Sequence, residues 1–597
     1  MLAFRPPAQR FGKTTASCLA TLMVLIGVGV MAGTATSAGV TDVIGPIPSE
    51  DFSSPTKNYT FYATDVALAS YGYVEEEFFI TGTANAYSIP SNPTTPPTIA
   101  TADVPYKTRM TVRRPTDPAK FNGTVVVEWF NVTDGFDGEY FWVQAHHYLV
   151  RAGYAYIGIS AQNNGISNAK TGLKAFSPTR YGSLDVTGNG TITGDALSYD
   201  IFSQAAKAAY DFPAVMKGLT VKNTIGVGMS QSGSRLGTYA NYIQKLARIY
   251  DALLIQVATP TVRDDLTTPL IKVLSETEAS ARNLNADQAD TDYRKTYWIA
   301  GTNHGDETQR IGRTSVRLRD LGPQNTPNDS CSADPSVTTR TRTPFRHVLN
   351  AAVHYLKEQI EHGAQPPKGP RFTRAANGDV LRDSFGNAVG AIRLAHMDVP
   401  TARADGIQCG TIGAWVPFTT AQLQALYPTH DDYVTKVKAA VNASVAAGFV
   451  LPEDAVETIA EAEASVIGTG LECGPLCLSV SHWRPAGTTP SPFSSTGLLR
   501  DNTVYLNIKD GNDLIEDLDA AHSFAAAGYS TPGVHATHYF ALAAARLQKY
   551  LDQVEDAQSE GRLTATAAGV LSQQAEIVIE GLHGQFVRGN EDRPDKP

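Results

Sequence analysis

The residues Gly228-Met229-Ser230-Gln231-Ser232-Gly233 set a serine where a strand pattern, NTIGVGM, gives way to a helix pattern, SGSRLGTYANYIQKLA. A serine hydroxyl raised on such a turn can attack a carbonyl carbon, provided a base takes its proton. The turn is sharp, so the positions two before and two after the serine must be small. Gly228 meets the first requirement. The second position is Ser232, where glycine is usual, and Gly233 follows at once. A plainer reading makes Ser230 the N-cap of a small-residue helix start. The hexapeptide alone leaves both readings open.

A serine nucleophile needs an imidazole and a carboxylate from elsewhere in the chain. Three further apolar runs follow: DALLIQVA, PLIKVLS and KTYWIAG. PLIKVLS leads into Glu276-Thr277-Glu278, and KTYWIAG leads into Thr302-Asn303-His304. Both groups fall just past strand C-terminal ends, where open α/β sheets build their sites. Serine, then acid, then histidine is the chain order of an α/β-hydrolase. His304 is one of thirteen histidines and is singled out by position, not by type.

The expected roles follow from that order. Neutral His304 takes the Ser230 proton and later gives it to the leaving group. A carboxylate holds the imidazole in the required tautomer. Glu278 fits the usual spacing past the strand, and Glu276 competes with it. The backbone N–H of Gln231 is the first expected oxyanion donor. The second is expected from Asn131-Val132-Thr133-Asp134-Gly135, after the run TVVVEWF, a loop without the His-Gly-Gly of many esterases.

These groups must be held by a framework, and the pattern predicts one. YVEEEFFITGTANAY and YKTRMTVRRP alternate and end at Pro or Gly, as antiparallel strands do. From Gly123 onward, buried strands alternate with helices: TVVVEWF, then the helix EYFWVQAHHYLVRAG, then YAYIGIS, then a helix near DALSYDIFSQAAKAAYD. That alternation predicts a mostly parallel sheet covered on both faces. PFRHVLNAAVHYLKEQIEHG closes the section as a helix ending at Gly363. Beyond it, NGDVLRDSFGNAVGAIRL reads as a hairpin and DDYVTKVKAAVNASVAAGF as a helix. From Asp513 to Leu582 the chain reads as mostly helical, with Phe540, Leu547, Leu551 and Val554 on one face. That stripe reads as a helix–helix contact. The tail RGNEDRPDKP reads as disordered.

The first residues read as an address. Arg5, Arg10 and Lys13 precede the apolar run from Ala16 to Gly33, and small residues close it before Ala38. This is a secretory signal pattern, with an uncleaved anchor as the alternative. No later run is long enough for a second span. Four cysteines remain after Cys18: Cys331, Cys409, Cys473 and Cys477. An even number in an exported chain suggests disulfides, with three pairings open and CGPLC able to bridge locally. No second close Cys or His pair accompanies CGPLC, so zinc is not indicated. A net charge of −10 argues against a nucleic-acid footprint. The expected division is 1–38 signal peptide, 39–370 hydrolase core, 371–480 accessory or cap region, and 481–597 C-terminal helical extension.

VVVEWFNV, GYAYIGISAQ, GVGMSQSG, SETE, AGTNHGD and GNAVGAIRLAHMDVPTA, in this order, resemble the secreted α/β-hydrolase-domain family of bacteria and fungi over Asn58 to Val466. The family's Gly-x-Ser-x-Ser-Gly pattern matches Gly228, Ser230, Ser232 and Gly233. Its usual SETD acid falls on Glu278, a Glu-for-Asp change that lengthens the arm and keeps Glu276 in play. The resemblance implies a serine hydrolase of esterase type and implies no particular substrate. The resulting expectation is an exported serine hydrolase cleaving small-molecule or polymer esters, with no cofactor or metal and no membrane span after signal removal. Its location would be secreted or periplasmic. A serine peptidase or amidase could use the same groups. A non-catalytic hydrolase-fold binding protein is a third reading, against which all three stations are filled. A polymer-binding protein dominated by its C-terminal helices finds no stacked aromatic pattern to support it.

Overall fold

A computed structural model describes residues 39–465 apart from 53, 67, 281–286 and 323–339, then 467–468, scattered positions from 514 to 521, residues 534–563, and scattered positions to 579. The expected signal peptide, Cys331, Cys473, Cys477 and the tail lie outside the described residues.

Among the described residues, nine strands make one mixed sheet. They are β1 (Val40–Ile44), β2 (Tyr73–Ser88), β3 (Thr98–Pro115), β4 (Thr124–Trp129), β5 (Ala155–Ile159), β6 (Asn223–Met229), β7 (Ala252–Gln256), β8 (Leu270–Ser275) and β9 (Arg294–Ile299). Their spatial order is β1-β2-β3-β5-β4-β6-β7-β8-β9. β1, β2, β3 and β5 pair antiparallel in turn, and β5 through β9 run parallel. This is the α/β-hydrolase arrangement, with antiparallel strands at the N-terminal side.

The central strands are buried at nearly every position because both faces are covered. Side chains alternate across a strand. Val125 and Val127 of β4 therefore enter one apolar cluster, and Val126 enters the other. On β7, Leu253 and Ile255 go one way and Leu254 the other. Helix α1 (Tyr140–Arg151) covers the Val126 side with Phe141 and Leu149. Helices α2 (Ser198–Asp211) and α3 (Gln231–Thr238) cover the opposite side with Ile201, Phe202 and Leu236. Burying one such side chain stabilises by about 1.5–3 kcal/mol.

Helix α4 (Glu307–Leu321) carries Arg310, Arg313, Arg317 and Arg319 and shows no apolar stripe in the sequence, so the sequence reading has no helix there. It packs all the same, because its cations are neutralised or stacked. Arg317 pairs with Asp134, and the Arg313 guanidinium lies 4.4 Å from the Tyr140 ring centre. Helix α5 (Phe345–His362) lies where the sequence predicts it, with Val348, Leu349 and Leu356 fully buried on the α1 side.

After α5, the expected hairpin is a tighter meander. Isolated bridges join Arg374 to Val380 and Arg382 to Ala388, with turns closing at Gly378 and Gly386. Ile392 then runs beside β9, donating its N–H to Trp298 O and accepting from Ala300 N–H. A small unanticipated hairpin follows, β10 (Ala402–Asp405) with β11 (Ala414–Pro417). Helices α6 (His430–Ala446), α7 (Pro452–Ala464) and α8 (Val534–Ser559) come next. On α8, Leu547 and Val554 are buried and Leu551 is partly buried, all in the apolar cluster of the Val126 side. The Phe540 side chain lies outside the described residues.

Candidate active site

The site grows from the end of β6. Ser230 follows that strand directly and adopts φ 55° and ψ −112°. Such a backbone costs a non-glycine residue about 1–3 kcal/mol and persists only when its surroundings enforce it. The surroundings here are tight. A Cβ on Gly228 would stand 2.7 Å from Ser232 O, and one on Gly233 would stand 2.9 Å from the Ala258 Cβ. Ser232, the departure from the usual glycine, is fully buried and earns its place by hydrogen bonding. Its hydroxyl accepts from Met229 N–H and donates to Met229 O, each at 3.0 Å. Ser230 stands at the N-cap position of α3, but its hydroxyl makes no capping bond.

That hydroxyl instead lies 2.8 Å from His304 Nε2. His304 Nδ1–H donates to Glu278 Oε1 at 2.6 Å, which leaves Nε2 free to accept from Ser230. Glu278 Oε2 accepts from both Ser275 N–H (3.0 Å) and the Ser275 hydroxyl (2.6 Å). This is the reach-back half of a capping box, and it fixes the carboxylate plane. The structure thus brings three of the sequence-predicted residues into one line: Ser230, His304 and Glu278.

Glu276 goes elsewhere. Glu276–Ala279 is a 3-10 turn, in which residues advance about 120° each. Residues two apart therefore point about 240° apart. Glu276 is fully buried, its Oε1 2.5 Å from Arg382 Nη1 and its Oε2 accepting from Gly301 N–H at 2.8 Å. Burial outweighs the arginine and pushes its carboxyl up to about 7.

Gln231 is the first residue of α3, so its N–H is one of the four that a helix start leaves without an intrahelical partner. The loop after β4 is tied to the elbow, because Asn131 Nδ2–H donates to Met229 O at 2.8 Å. Within that loop Val132 N–H faces the Gln231 side chain, 3.4 Å from its Oε1. Gln231 Nε2–H donates on to Gln162 Oε1 at 3.1 Å, and Gln162 Nε2–H donates to Asp195 Oδ2 at 3.0 Å. Polar groups therefore line the wall beside the serine.

A family model described as Alpha/beta hydrolase domain matches residues 43–460. The chain belongs to this family. A search of the curated proteins finds no match to this α/β-hydrolase. Among solved structures it is similar to a protein described as a dienelactone hydrolase from Klebsiella pneumoniae subsp. pneumoniae MGH 78578, at 13% identity over 41% of this chain and 98% of that one, TM-score 0.22. It is also similar to the rice cell wall degrading esterase LipA from Xanthomonas oryzae, at 12% identity over 33% of this chain and 47% of that one, TM-score 0.19. A fungal esterase from Rhizomucor miehei matches at 9% identity over 51% of this chain and 90% of that one, TM-score 0.24. Likenesses of this size carry no argument about substrate. Among the described residues, no group of three or more His, Cys, Asp or Glu could hold a metal ion, and no helix is long and apolar enough to cross a membrane.

The sequence reading missed one carboxylate behind the hydrolase's site. Glu128 on β4 is fully buried, accepting from Phe141 N–H (2.9 Å), Trp142 N–H (3.0 Å) and the Tyr156 hydroxyl (2.8 Å). It anchors the start of α1 and hence the far end of the candidate oxyanion loop. Its only signal in the sequence is a charged residue inside an apolar strand, TVVVEW. Burial pushes its carboxyl up to about 8 despite these donors. Glu128 and Glu276 both sit above the ordinary value of 4.5, so the native state holds more protons than the unfolded chain between about pH 4.5 and pH 8. Stability from these two groups is therefore full below that window and is lost as pH rises through it. Urea midpoints should fall between about pH 4.5 and pH 8, and Glu128→Gln should flatten the decline. An equal slope in the variant would show that Glu128 is ionised throughout.

Proposed function

We propose that this chain is an exported serine hydrolase that cleaves carboxylic esters through an acyl-enzyme, with Ser230 as nucleophile, His304 as general base and acid, and Glu278 as the orienting carboxylate. The observation that carries the reading is the unbroken line from Ser230 Oγ through the His304 ring to Glu278, at 2.8 and 2.6 Å. In the first step Ser230 Oγ bonds to the ester carbonyl carbon while its proton passes to His304 Nε2. The imidazolium is stabilised by Glu278 and gives that proton to the departing alkoxide oxygen as the ester C–O bond breaks. Water, deprotonated by His304, then attacks the acyl-serine and regenerates the hydroxyl. The oxyanion formed in each half is assigned to Gln231 N–H and Val132 N–H. Val132 becomes available once the Gln231 carboxamide turns away from it. Each such donor is worth about 10²–10³ in rate.

Export rests on the leader pattern of residues 1–38 and on the even number of cysteines that follow it. We retain 39–370 as the catalytic core, 371–480 as an accessory region and 481–597 as a helical extension. The substrate class proposed is a small-molecule or polymer ester, handled without a cofactor.

The test is a panel of p-nitrophenyl esters set beside peptide anilides, with pre-steady-state mixing on the best ester. Esters should turn over with a burst of one p-nitrophenol per active chain, and anilides should be poor substrates. Anilide cleavage at or above the ester rate would move the protein to the peptidase class. No turnover and no labelling by a fluorophosphonate would favour a binding protein.

A further inference from the structure

The loop between β10 and β11 touches the residues on both sides of the candidate catalytic histidine. Asn303 Nδ2–H donates to Thr411 O (2.9 Å), to Gly305 O (3.0 Å) and to Ile412 O. Gly305 N–H also donates to Thr411 O at 3.3 Å. The Asn303 amide oxygen accepts from the Thr341 hydroxyl at 2.6 Å. The approach is close enough to demand glycine. A Cβ on Gly406 would lie 1.9 Å from Thr302 O, and one on Gly413, at φ 69°, would lie 2.7 Å from the Asn303 Cβ.

A second chain of bonds reaches His304 itself. The Thr277 hydroxyl accepts from His304 N–H at 3.1 Å and donates to Gly406 O at 2.5 Å. Gly406 N–H donates to Glu276 Oε1 at 3.3 Å. Glu276 in turn holds Gly301 N–H through its other oxygen, and its own N–H donates to Thr302 O at 3.1 Å. Arg382 closes the set, 2.5 Å from Glu276 Oε1 and 3.0 Å from Asp405 Oδ1. Every residue from Gly301 to Gly305 is therefore bonded to, or in contact with, either the Glu276–Thr277 pair or the loop that pair anchors.

We propose that Glu276, Thr277 and the segment Asp405–Gly413 form one positioning device for His304, in which the accessory region sets the ring's placement between Ser230 and Glu278. This rests on the serine-hydrolase reading above. Thr277 and Glu276 are positioning residues: neither touches the reacting atoms, and both act through the backbone that carries the imidazole. A displacement of about 1 Å in such a group can cost about 10²-fold in rate.

The test compares Thr277→Val, which is close to isosteric and lacks the hydroxyl, with Thr277→Ser, which keeps it. Expected for Thr277→Val is a fall in kcat of about 10- to 100-fold with KM within about twofold. Thr277→Ser should recover most of the loss. The far-downfield proton resonance of His304 Nδ1–H should shift or broaden in the valine variant and not in the serine variant. Arg382→Gln provides a part-exposed second site should the valine variant not fold, with kcat expected to fall while KM holds. Full kcat in a folded Thr277→Val, or equal losses in the valine and serine variants, would overturn the proposal. A wild-type chain that reacts with a fluorophosphonate at Ser230 and hydrolyses an ester keeps the serine reading intact in either case. A wild-type chain that does neither overturns both.

Discussion

Replacing Ser230 by alanine is expected to lower kcat on the best ester by about 10⁴-fold or more, and to abolish fluorophosphonate labelling. The hydroxyl is the group that would form the covalent bond, and His304 Nε2 lies 2.8 Å from it and nothing else is needed to take its proton. The substitution should leave the fold intact. Alanine keeps the Cβ that the strained turn already accommodates, and the turn is closed by Gly228, Ser232 and Gly233 rather than by the Ser230 side chain. Thermal midpoints within a few degrees of wild type would confirm that the loss is chemical. Labelling that persists in Ser230→Ala would move the nucleophile to another residue. Ser232 is a poor alternative, because its hydroxyl is buried and engaged at both ends by Met229.

Glu278→Gln is expected to cost about 10³–10⁴ in kcat with little change in KM. A carboxylate can only accept from Nδ1–H, so it fixes the tautomer that leaves Nε2 open towards Ser230. A carboxamide can present its NH₂ group to Nδ1 and stabilise the opposite tautomer, in which Nε2 carries the proton and cannot accept one. Glu276→Gln should cost far less, since Glu276 lies away from the ring, beside Arg382 and Gly301. The double variant Ser230→Ala with Glu278→Gln should be no slower than Ser230→Ala alone, because the groups act as a unit. A Glu278→Gln chain within tenfold of wild type, or a larger loss in Glu276→Gln, would transfer the orienting role to Glu276.

The two glutamates also show where sequence reading stops. Their station after β8 was legible, because PLIKVLS is an apolar run with charged residues directly beyond it. Which of them meets His304 was not, because the answer depends on a single 3-10 turn that sends residues two apart in different directions. Strands β4, β6, β8 and β9 were legible for a related reason: burial on both faces makes each a short apolar run with turn residues around it. β1 was not, being five residues in a Pro/Ser-rich lead that becomes a strand only by pairing with β2. Helix α4 was hidden by its arginines. The partners that make them tolerable, Asp134 and Tyr140, are more than 150 residues earlier in the chain. The histidine's supports were hidden likewise: Gly406 and Asn303 are ordinary loop residues until the fold sets them against each other.

Ile392 carries a consequence for handling the protein. β9 is the last strand of the sheet, and the backbone around Ile392 occupies its outer side, exchanging hydrogen bonds with Trp298 and Ala300. A chain ended near residue 370 would bare that side, presenting to other copies the unpaired amides of a strand that is otherwise buried along its length. It would also strand the Glu276 carboxylate in the interior with its cation removed. Such a shortened chain should self-associate through its sheets and precipitate, so preparations meant for assay have to run well past the point at which the catalytic groups themselves are complete.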